Sequence, residues 1–464
     1  MQSYDLIIIG AGPAGMAAAK EAAERGLSVV VLDEQPRAGG QIFRDVEKVS
    51  AARARILGPD YLHGKRLTDG LSQAGITHIA GAVAWAIEDG FYVSYTQGGK
   101  AAQITGARIL LATGALERPM PIPGWTLPGV MTAGAGQILL KQSGIIARRA
   151  VLAGSGPLLY LIAAQMVRAG TPPLALIETQ TMRDFITAQA HLFGALRGWR
   201  YLLKGAKLLA EIRKADVPRY RGVTDLRIDG EGQAEAVAFS AKGRRHRIAC
   251  DTVMLHHGVV PNQQAARSLN VPHRWNPQQK CFAPVVDGCG ATGVEGVYIA
   301  GDGAGIGGAE VAEVAGRIAA LKVAADIGKL SQADCDAAAV PFQAKLAQAG
   351  AVRPFLDAAY PPFAEALSPS DATIVCRCEE VTAGDIRGYA KIGCLGPNQT
   401  KAFGRAGMGP CQGRYCGLTV TGILAEENRK SPDETGYYRI RPPLKPVTLG
   451  ELAAMDAPCS DAAE

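Results

Sequence analysis

Two kinds of residue in this chain carry chemistry: clustered cysteines, and glycine-rich turns followed by an acid. Cys376-Arg-Cys378 and Cys411-Gln-Gly-Arg-Tyr-Cys416 are separated by thirty-two residues, while the other six of the ten cysteines lie apart from this cluster. Four thiolates set as a C-x-C and a second close pair can hold zinc or a 2Fe-2S cluster. The one-residue spacing is tight for a single tetrahedral ion. Near the N-terminus stands Gly10-Ala-Gly12-Pro13-Ala14-Gly15, with Asp33 and Glu34 eighteen and nineteen residues beyond Gly15. Gly10 permits a tight turn, Gly12 a close pyrophosphate, and Gly15 a close helix, while Asp33 lies where a carboxylate can accept from a ribose diol. A second turn, Gly154-Ser-Gly156-Pro-Leu-Leu159, is followed by Glu178. Its third glycine is replaced by Leu159, so helix and strand cannot approach as closely there. Glu178 suits a 2′-hydroxyl better than a 2′-phosphate.

These residues need particular elements to position them. The apolar run Leu6 to Ile9 predicts a strand into the first turn, an alanine-rich helix follows, and Val29 to Leu32 predicts the strand that ends at Asp33. The helix N-terminus aims free N–H groups and a partial positive charge at phosphates. The same strand, turn, helix and strand recur from Ala150. Alternation from Ile76 to Tyr95, with Gly98-Gly99, predicts a hairpin, and Lys242 to Arg247 reads as a solvated hairpin tip. Ala107 to Ala112 predicts a strand ending in Thr113-Gly114, after which Pro119, Pro121, Pro123 and Pro128 stiffen a linker. His256 and His257 are adjacent on a predicted strand and point to opposite faces, so they are read as structural residues.

Length bounds the chain at about three domains. With 48% hydrophobic and 20% charged residues the composition is that of an ordinary globular protein, and the net charge of +6 is thinly spread. Basic residues without interleaved aromatics exclude a nucleic-acid surface. No apolar stretch reaches the length of a membrane span, no secretory signal is visible, and the cysteines form no secreted disulfide framework, so the expected compartment is the cytoplasm.

Gly39-Gly40-Gln41 shortly after the first acid resembles the two-dinucleotide-binding flavoproteins. So does Tyr298-Ile-Ala-Gly301-Asp302-Gly303, followed by a helix from about Ala309. The resemblance implies FAD, held by Gly10, Gly12, Pro13, Ala14, Gly15, Asp33, Glu34, Gly40, Gln41, Thr113, Gly114, Gly301 and Asp302, with Asp302 on the ribityl chain. Gly154, Gly156 and Glu178 are the residues for a second nucleotide in an NAD-like domain. No C-x-x-C pair occurs in the first 330 residues, which argues against disulfide-reductase chemistry. The C-terminal cysteines resemble a bacterioferritin-associated-ferredoxin-like 2Fe-2S domain, whose second pair is C-x-x-C where this chain has C-x₄-C. Cys376, Cys378, Cys411 and Cys416 are then the ligands, and Cys394 a packing residue.

The expected architecture is α/β: a Rossmann-like FAD domain (1–116 and 285–330) with an inserted NAD-like domain (117–284). A helical linker (331–369), the 2Fe-2S domain (370–436) and a C-terminal tail (437–464) complete it. In that order, and with the segments Glu117 to Gly129, Met408 to Arg414 and Tyr437 to Pro446, the chain resembles the α subunits of hetero-oligomeric dye-linked amino-acid dehydrogenases. That family includes the corresponding subunits of opine oxidase, hydrogen cyanide synthase, and the proline and hydroxyproline dehydrogenases. It implies an electron-transfer role, with a secondary amino acid (octopine or nopaline, or proline or hydroxyproline) oxidised by an FAD-containing β subunit of the glycine/sarcosine-oxidase type. A small ferredoxin-like γ subunit is a further expected partner. The proline-rich tail is expected to lie extended on a partner. No catalytic residue is assigned. Two other readings stay open: an NAD(P)H-dependent FAD/iron–sulfur reductase, and a redox-inactive assembly or sensing subunit.

Overall fold

The computed structural model describes residues 1–455, so the last nine residues of the expected tail lie outside the described residues. The N-terminal apolar run is the strand Gln2–Ile9, central in the parallel part of a mixed sheet because Leu6, Ile7 and Ile8 are buried on both faces. Val29–Asp33 and then Ile76–Ala80 pair on one side of it, and Lys100–Leu111 on the other. That last strand is long enough to have two outer neighbours. Its first half pairs antiparallel with Tyr92–Gln97, which pairs in turn with Val83–Glu88. Its second half pairs parallel with Val297–Ile299, the strand that leads into Gly301-Asp302. Segments from opposite ends of the first two-thirds of the chain are thereby joined in one sheet.

Helices Pro13–Glu24 and Ala309–Asp326 cover one face. They meet closely enough that a Cβ on Gly316 would overlap the Ala14 carbonyl oxygen. Around this contact Glu21 and Glu313 are buried and paired with Arg317, Arg25 and Arg66.

A second parallel sheet runs Arg219–Arg221, Ala175–Glu178, Ala150–Gly154, Thr252–His256, Val130–Thr132. It is flanked by a three-stranded antiparallel sheet whose last hairpin turns at Lys242-Gly243, as the charge run predicts. The chain enters this second fold along Ala115–Glu117 and leaves it along Val259–Pro261, and these two strands pair antiparallel. Helices Gln332–Gly350 and Arg353–Ala359 follow, the latter with Pro354 in its first turn.

The cysteine-bearing unit holds a small hairpin, Ile374–Cys376 with Val381–Thr382, and four helices, of which Gly417–Glu427 is the most deeply buried and Pro432–Thr435 a single turn. Its core is continuous with one face of the first sheet: Val375, Ile386, Val420 and Tyr438 belong to the same apolar cluster as Ile7, Val30 and Leu111. The tail corrects the sequence-based expectation. It lies extended over its own chain, with Leu444 N–H donating to the Trp85 carbonyl at 2.6 Å, Lys445 Nζ 2.7 Å from Glu34, and Arg414 Nη2 donating to the Leu444 carbonyl at 2.8 Å. Prolines leave carbonyls to be satisfied and few N–H groups to bury, so an extended strap suits a surface that is already folded. No helix among the described residues is long and apolar enough to cross a membrane.

Gly316→Ala should therefore cost about 1–3 kcal/mol through overpacking between the two covering helices. Urea unfolding followed by circular dichroism checks this; an unchanged midpoint would show that the helices can separate freely.

Candidate functional site

The first glycine turn is wedged between three segments. Gly10 has φ +108°, and a Cβ there would stand 2.5 Å from the Ala112 oxygen. A Cβ on Gly40 would come within 2.9 Å of Gly12 Cα, and one on Gly301 within 2.9 Å of Ala14 Cβ. Backbone therefore surrounds the N-terminus of helix Pro13–Glu24, whose N-cap Gly12 offers no side-chain acceptor to its free N–H groups. This is a cradle for an anion.

The two acids divide their work differently from the sequence reading. Asp33 Oδ2 accepts from Ala11 N–H at 2.5 Å and Oδ1 from Gln35 N–H at 2.7 Å. The group is buried, and burial raises its pKa against those two bonds. Asp33 thus braces the turn, and Glu34 is the exposed carboxylate of the pair. Glu34 accepts from Lys445 of the tail, which holds its pKa low against the partial desolvation of the carboxylate. On the far side Thr113 Oγ1 donates to the Asn262 carbonyl at 3.2 Å, Asn262 N–H donates to the Gly114 carbonyl at 3.0 Å, and Gly303 packs beside both. Asp302 Oδ1 accepts from the N–H groups of Gly307 and Gly308, both at 2.9 Å, and so shapes the turn before helix Ala309–Asp326. The Gln41 carbonyl accepts from Lys141 Nζ at 3.0 Å. Burial, with Arg44 nearby, brings that ammonium down to about 7. Pro13, Ala14, Gly15, Gly40 and Gly301 all fall within this one region.

The second turn does not repeat the arrangement. Glu178, expected to face a ribose, is fully enclosed. Its oxygens accept from Tyr160 at 2.5 Å, Gln180 at 2.8 Å, and Arg219 at 2.9 and 3.0 Å. The acid neutralises an internal arginine, so its lone pairs are taken by the chain itself. Gly154 and Gly156 likewise give room to His256: a Cβ on Gly154 would overlap the His256 carbonyl, and one on Gly156 would stand 3.0 Å from its ring. His256 Nδ1 lies 2.6 Å from Glu117 Oε1. Leu159, the residue in place of glycine, is buried in the core of this fold. His257 serves a different place, as the strand alternation predicts. Its Nε2 donates to the Pro119 carbonyl at 2.7 Å while Nδ1 accepts from Phe363 N–H at 3.2 Å, which fixes the neutral ring. Burial and then the nearby Arg118 push its pKa far down.

The four cysteines fall as two neighbouring pairs, Cys376 with Cys416 and Cys378 with Cys411, and Cys411 lies close enough to Cys416 to act on its charge. The neighbouring Cys416, and then backbone N–H groups of Gly407, Glu379 and Cys378, draw the Cys376 thiol down to about 6 against burial. Cys416 moves the opposite way, through the proximity of Cys376 and through burial. Cys378 is exposed and sits against Gly409, where a Cβ would displace it. No group of three or more His, Cys, Asp or Glu side chains among the described residues stands ready to hold a metal ion. The residue types still fit an iron–sulfur group: Cys376, Cys378, Cys411 and Cys416 bring four thiols into one small unit, and backbone N–H groups aim at the Cys376 sulfur. Cys394 is buried and packs, its thiol against the Gly396 carbonyl.

Sequence reasoning missed Lys141, Asn262 and Arg118. Their contacts lie between segments 100, 149 and 161 residues apart, and no local pattern marks them.

Residues 4–328 match the family model described as pyridine nucleotide-disulphide oxidoreductase, and residues 370–456 match the sarcosine oxidase A3 domain. The fold and site thus define a flavoprotein-type oxidoreductase. The A-type chain of opine oxidase from Rhizobium meliloti is 44% identical over 462 residues, covering 97% of this chain and 88% of that protein. The HcnB chain of hydrogen cyanide synthase from Pseudomonas protegens is 28% identical, covering 98% of each. The chain belongs to the family of these opine oxidase A-type chains. Among solved structures, L-proline dehydrogenase from P. horikoshii shares the fold, with a TM-score of 0.72 at 19% identity over 97% of this chain and 79% of that one.

Glu178→Gln should cost about 1–3 kcal/mol of stability, because the enclosed position loses its charge-assisted bonds and the partly buried Arg219 keeps its charge beside a neutral partner. Denaturant midpoints test this, and a loss below about 1 kcal/mol would return Glu178 to a ligand-facing role. The histidines add a pH dependence. The folded pKa of His257 and of His273 lies below the unfolded value, with His273 lowered to about 3 by burial and then Arg267, so the unfolded state binds the extra proton. Stability should fall as pH drops below about 6.5, by up to about 1.4 kcal/mol per pH unit for each histidine. His257→Gln should flatten that slope in melting curves recorded between pH 7 and 5.

Proposed function

We propose that this chain is the FAD- and 2Fe-2S-containing electron-transfer (α) subunit of a hetero-oligomeric dehydrogenase or oxidase acting on a secondary amino acid, of the opine or proline type. The substrate is oxidised in a partner FAD-containing β subunit of the glycine/sarcosine-oxidase kind, and a small ferredoxin-like γ subunit is a further partner. The observation that carries this reading is the position of residues 262–264. Asn262 is bonded to Gly114 of the flavin cradle, and Gln264 Nε2 donates to the Gln412 carbonyl at 3.5 Å, next to Cys411. Tyr437 closes the same seam: its ring lies 4.4 Å from the Arg267 guanidinium, and its hydroxyl donates to the Gly413 carbonyl at 3.2 Å. Flavin cradle and cysteines are thus bridged by one short segment. When bound, FAD accepts electrons in pairs and can release them singly, and a 2Fe-2S cluster carries one at a time.

Gly10, Gly12, Gly15 and the helix they open would receive the pyrophosphate, Glu34 the ribose and Asp302 the ribityl chain. Cys376, Cys378, Cys411 and Cys416 would ligate the cluster. The NAD(P)H-dependent reading is disfavoured because Glu178 is spent on Arg219.

Purified alone, the chain should show flavin bands with a broad iron–sulfur shoulder and no oxidation of amino acids. With its partner, Cys411→Ser should lose iron and slow dye reduction by about 100-fold or more, while substrate still reduces the partner's flavin. Oxidation of amino acids by the lone chain, or an iron-free protein that relays electrons normally, would refute the assignment.

A further inference from the structure

Arg118 stands just past the crossing between the two nucleotide folds, with only 4% of its surface exposed. Nη1 donates to the Lys280 carbonyl at 2.9 Å and Nη2 to the Gln279 carbonyl at 2.6 Å, while Nε has no partner. The neighbouring Cys281 thiol is pushed up to about 11 by burial, so it brings no negative charge. No carboxylate among the described residues forms an ion pair with Arg118. A buried guanidinium held only by neutral groups is costly, since burial strips hydration that an opposite charge would ordinarily replace. Arg219 and Arg317, which are only partly buried, do have acids, Glu178 and Glu21; Arg44, the other buried arginine among the described residues, donates to the neutral Gly40 carbonyl and Gln35 side chain.

A cavity of about 140 Å³ lies against Arg118, at the meeting point of three units. The hairpin His273–Asn276 with Cys281–Pro284 contributes Trp275 and, from its turn, Lys280; the cysteine-bearing unit contributes Tyr415, Thr419 and Gly422. No acidic side chain lines it, and its two charged wall residues, Arg118 and Lys280, are both cations. The remaining wall is leucine, proline and alanine. We propose that this cavity binds a small organic carboxylate of about six non-hydrogen atoms, the size that an apolar cavity near 150 Å³ accepts. Its anionic head would meet Arg118, the hydroxyls of Tyr415 and Thr419 are further donors, and its short carbon chain would lie against Trp275 and the leucines. A fully hydrated phosphate would waste that apolar wall. No residue of the flavin cradle and none of the four cysteines lines the cavity, although Tyr415 and Thr419 flank Cys416 in sequence, and the site stands on geometry that does not require the electron-transfer role.

The test is calorimetric titration of the full-length chain with butyrate, pyruvate, acetate and inorganic phosphate, alongside tryptophan fluorescence. Butyrate or pyruvate should bind one per chain, about tenfold or more tighter than acetate or phosphate. Gly422→Leu fills the cavity; a Cβ at Gly422 meets only the Leu367 oxygen, at 3.8 Å, so the helix has room for it. This variant should bind at least about tenfold more weakly, the loss expected when a charge-assisted bond can no longer form. In Trp275→Phe the ligand-induced fluorescence change should vanish while the binding heat remains. Absence of saturable carboxylate binding, equal binding of phosphate, undiminished affinity in Gly422→Leu, or a fluorescence response that survives Trp275→Phe would each overturn the proposal.

Discussion

The whole arrangement depends on a two-stranded ladder, Ala115–Glu117 against Val259–Pro261, through which the chain leaves its first nucleotide fold and returns to it. Backbone hydrogen bonds across the ladder fix both crossings in one register, so whatever sits at its ends is fixed too. At one end are Thr113, Gly114 and Asn262, facing the flavin cradle. At the other are Glu117 with His256 under the second glycine turn, Arg118 facing the cysteine-bearing unit, and His257 against Phe363 of the preceding helical segment. Shifting the pairing by one residue would turn each of these side chains to the opposite face. A short element thus controls the geometry of three larger ones.

Much of this was legible in the sequence because it is local. A strand, glycine turn, helix and acid announce themselves within a short window, since period and turn chemistry are properties of neighbours. The first glycine turn, the hairpins at Gly98-Gly99 and Lys242-Gly243, and the opposed histidines follow from that. The parts that were not legible are decided by partners far along the chain. Whether Asp33 faces a ribose or its own turn depends on where the Ala11 N–H points. Whether Glu178 faces a ligand depends on Arg219, 41 residues away, and on Tyr160. The proline-rich tail read as extended, correctly, but no pattern in it says whose surface it covers.

The two glycine turns show how one motif can serve two ends. In the first, glycine clears space around a helix N-terminus that remains open to an anion. In the second, glycine clears space for a histidine of the same chain, and the nearby acid is consumed by an internal guanidinium. Fold repetition is therefore a weaker guide to chemistry than the accounting of donors and acceptors around each copy.

The continuity of the core between the first sheet and the cysteine-bearing unit has a consequence for biosynthesis. Ile7 and Val30 emerge from a ribosome early, but Val420, Tyr438 and Leu444, which complete their cluster, emerge last. At about 5–20 residues per second the nascent chain would wait some tens of seconds with one sheet face uncovered. Premature termination between Asp326 and the cysteine-bearing unit would release a protein whose first domain is intact in sequence yet bare on one side. Cellular quality control would thus meet every such copy as an exposed apolar surface, whether or not its flavin cradle had formed.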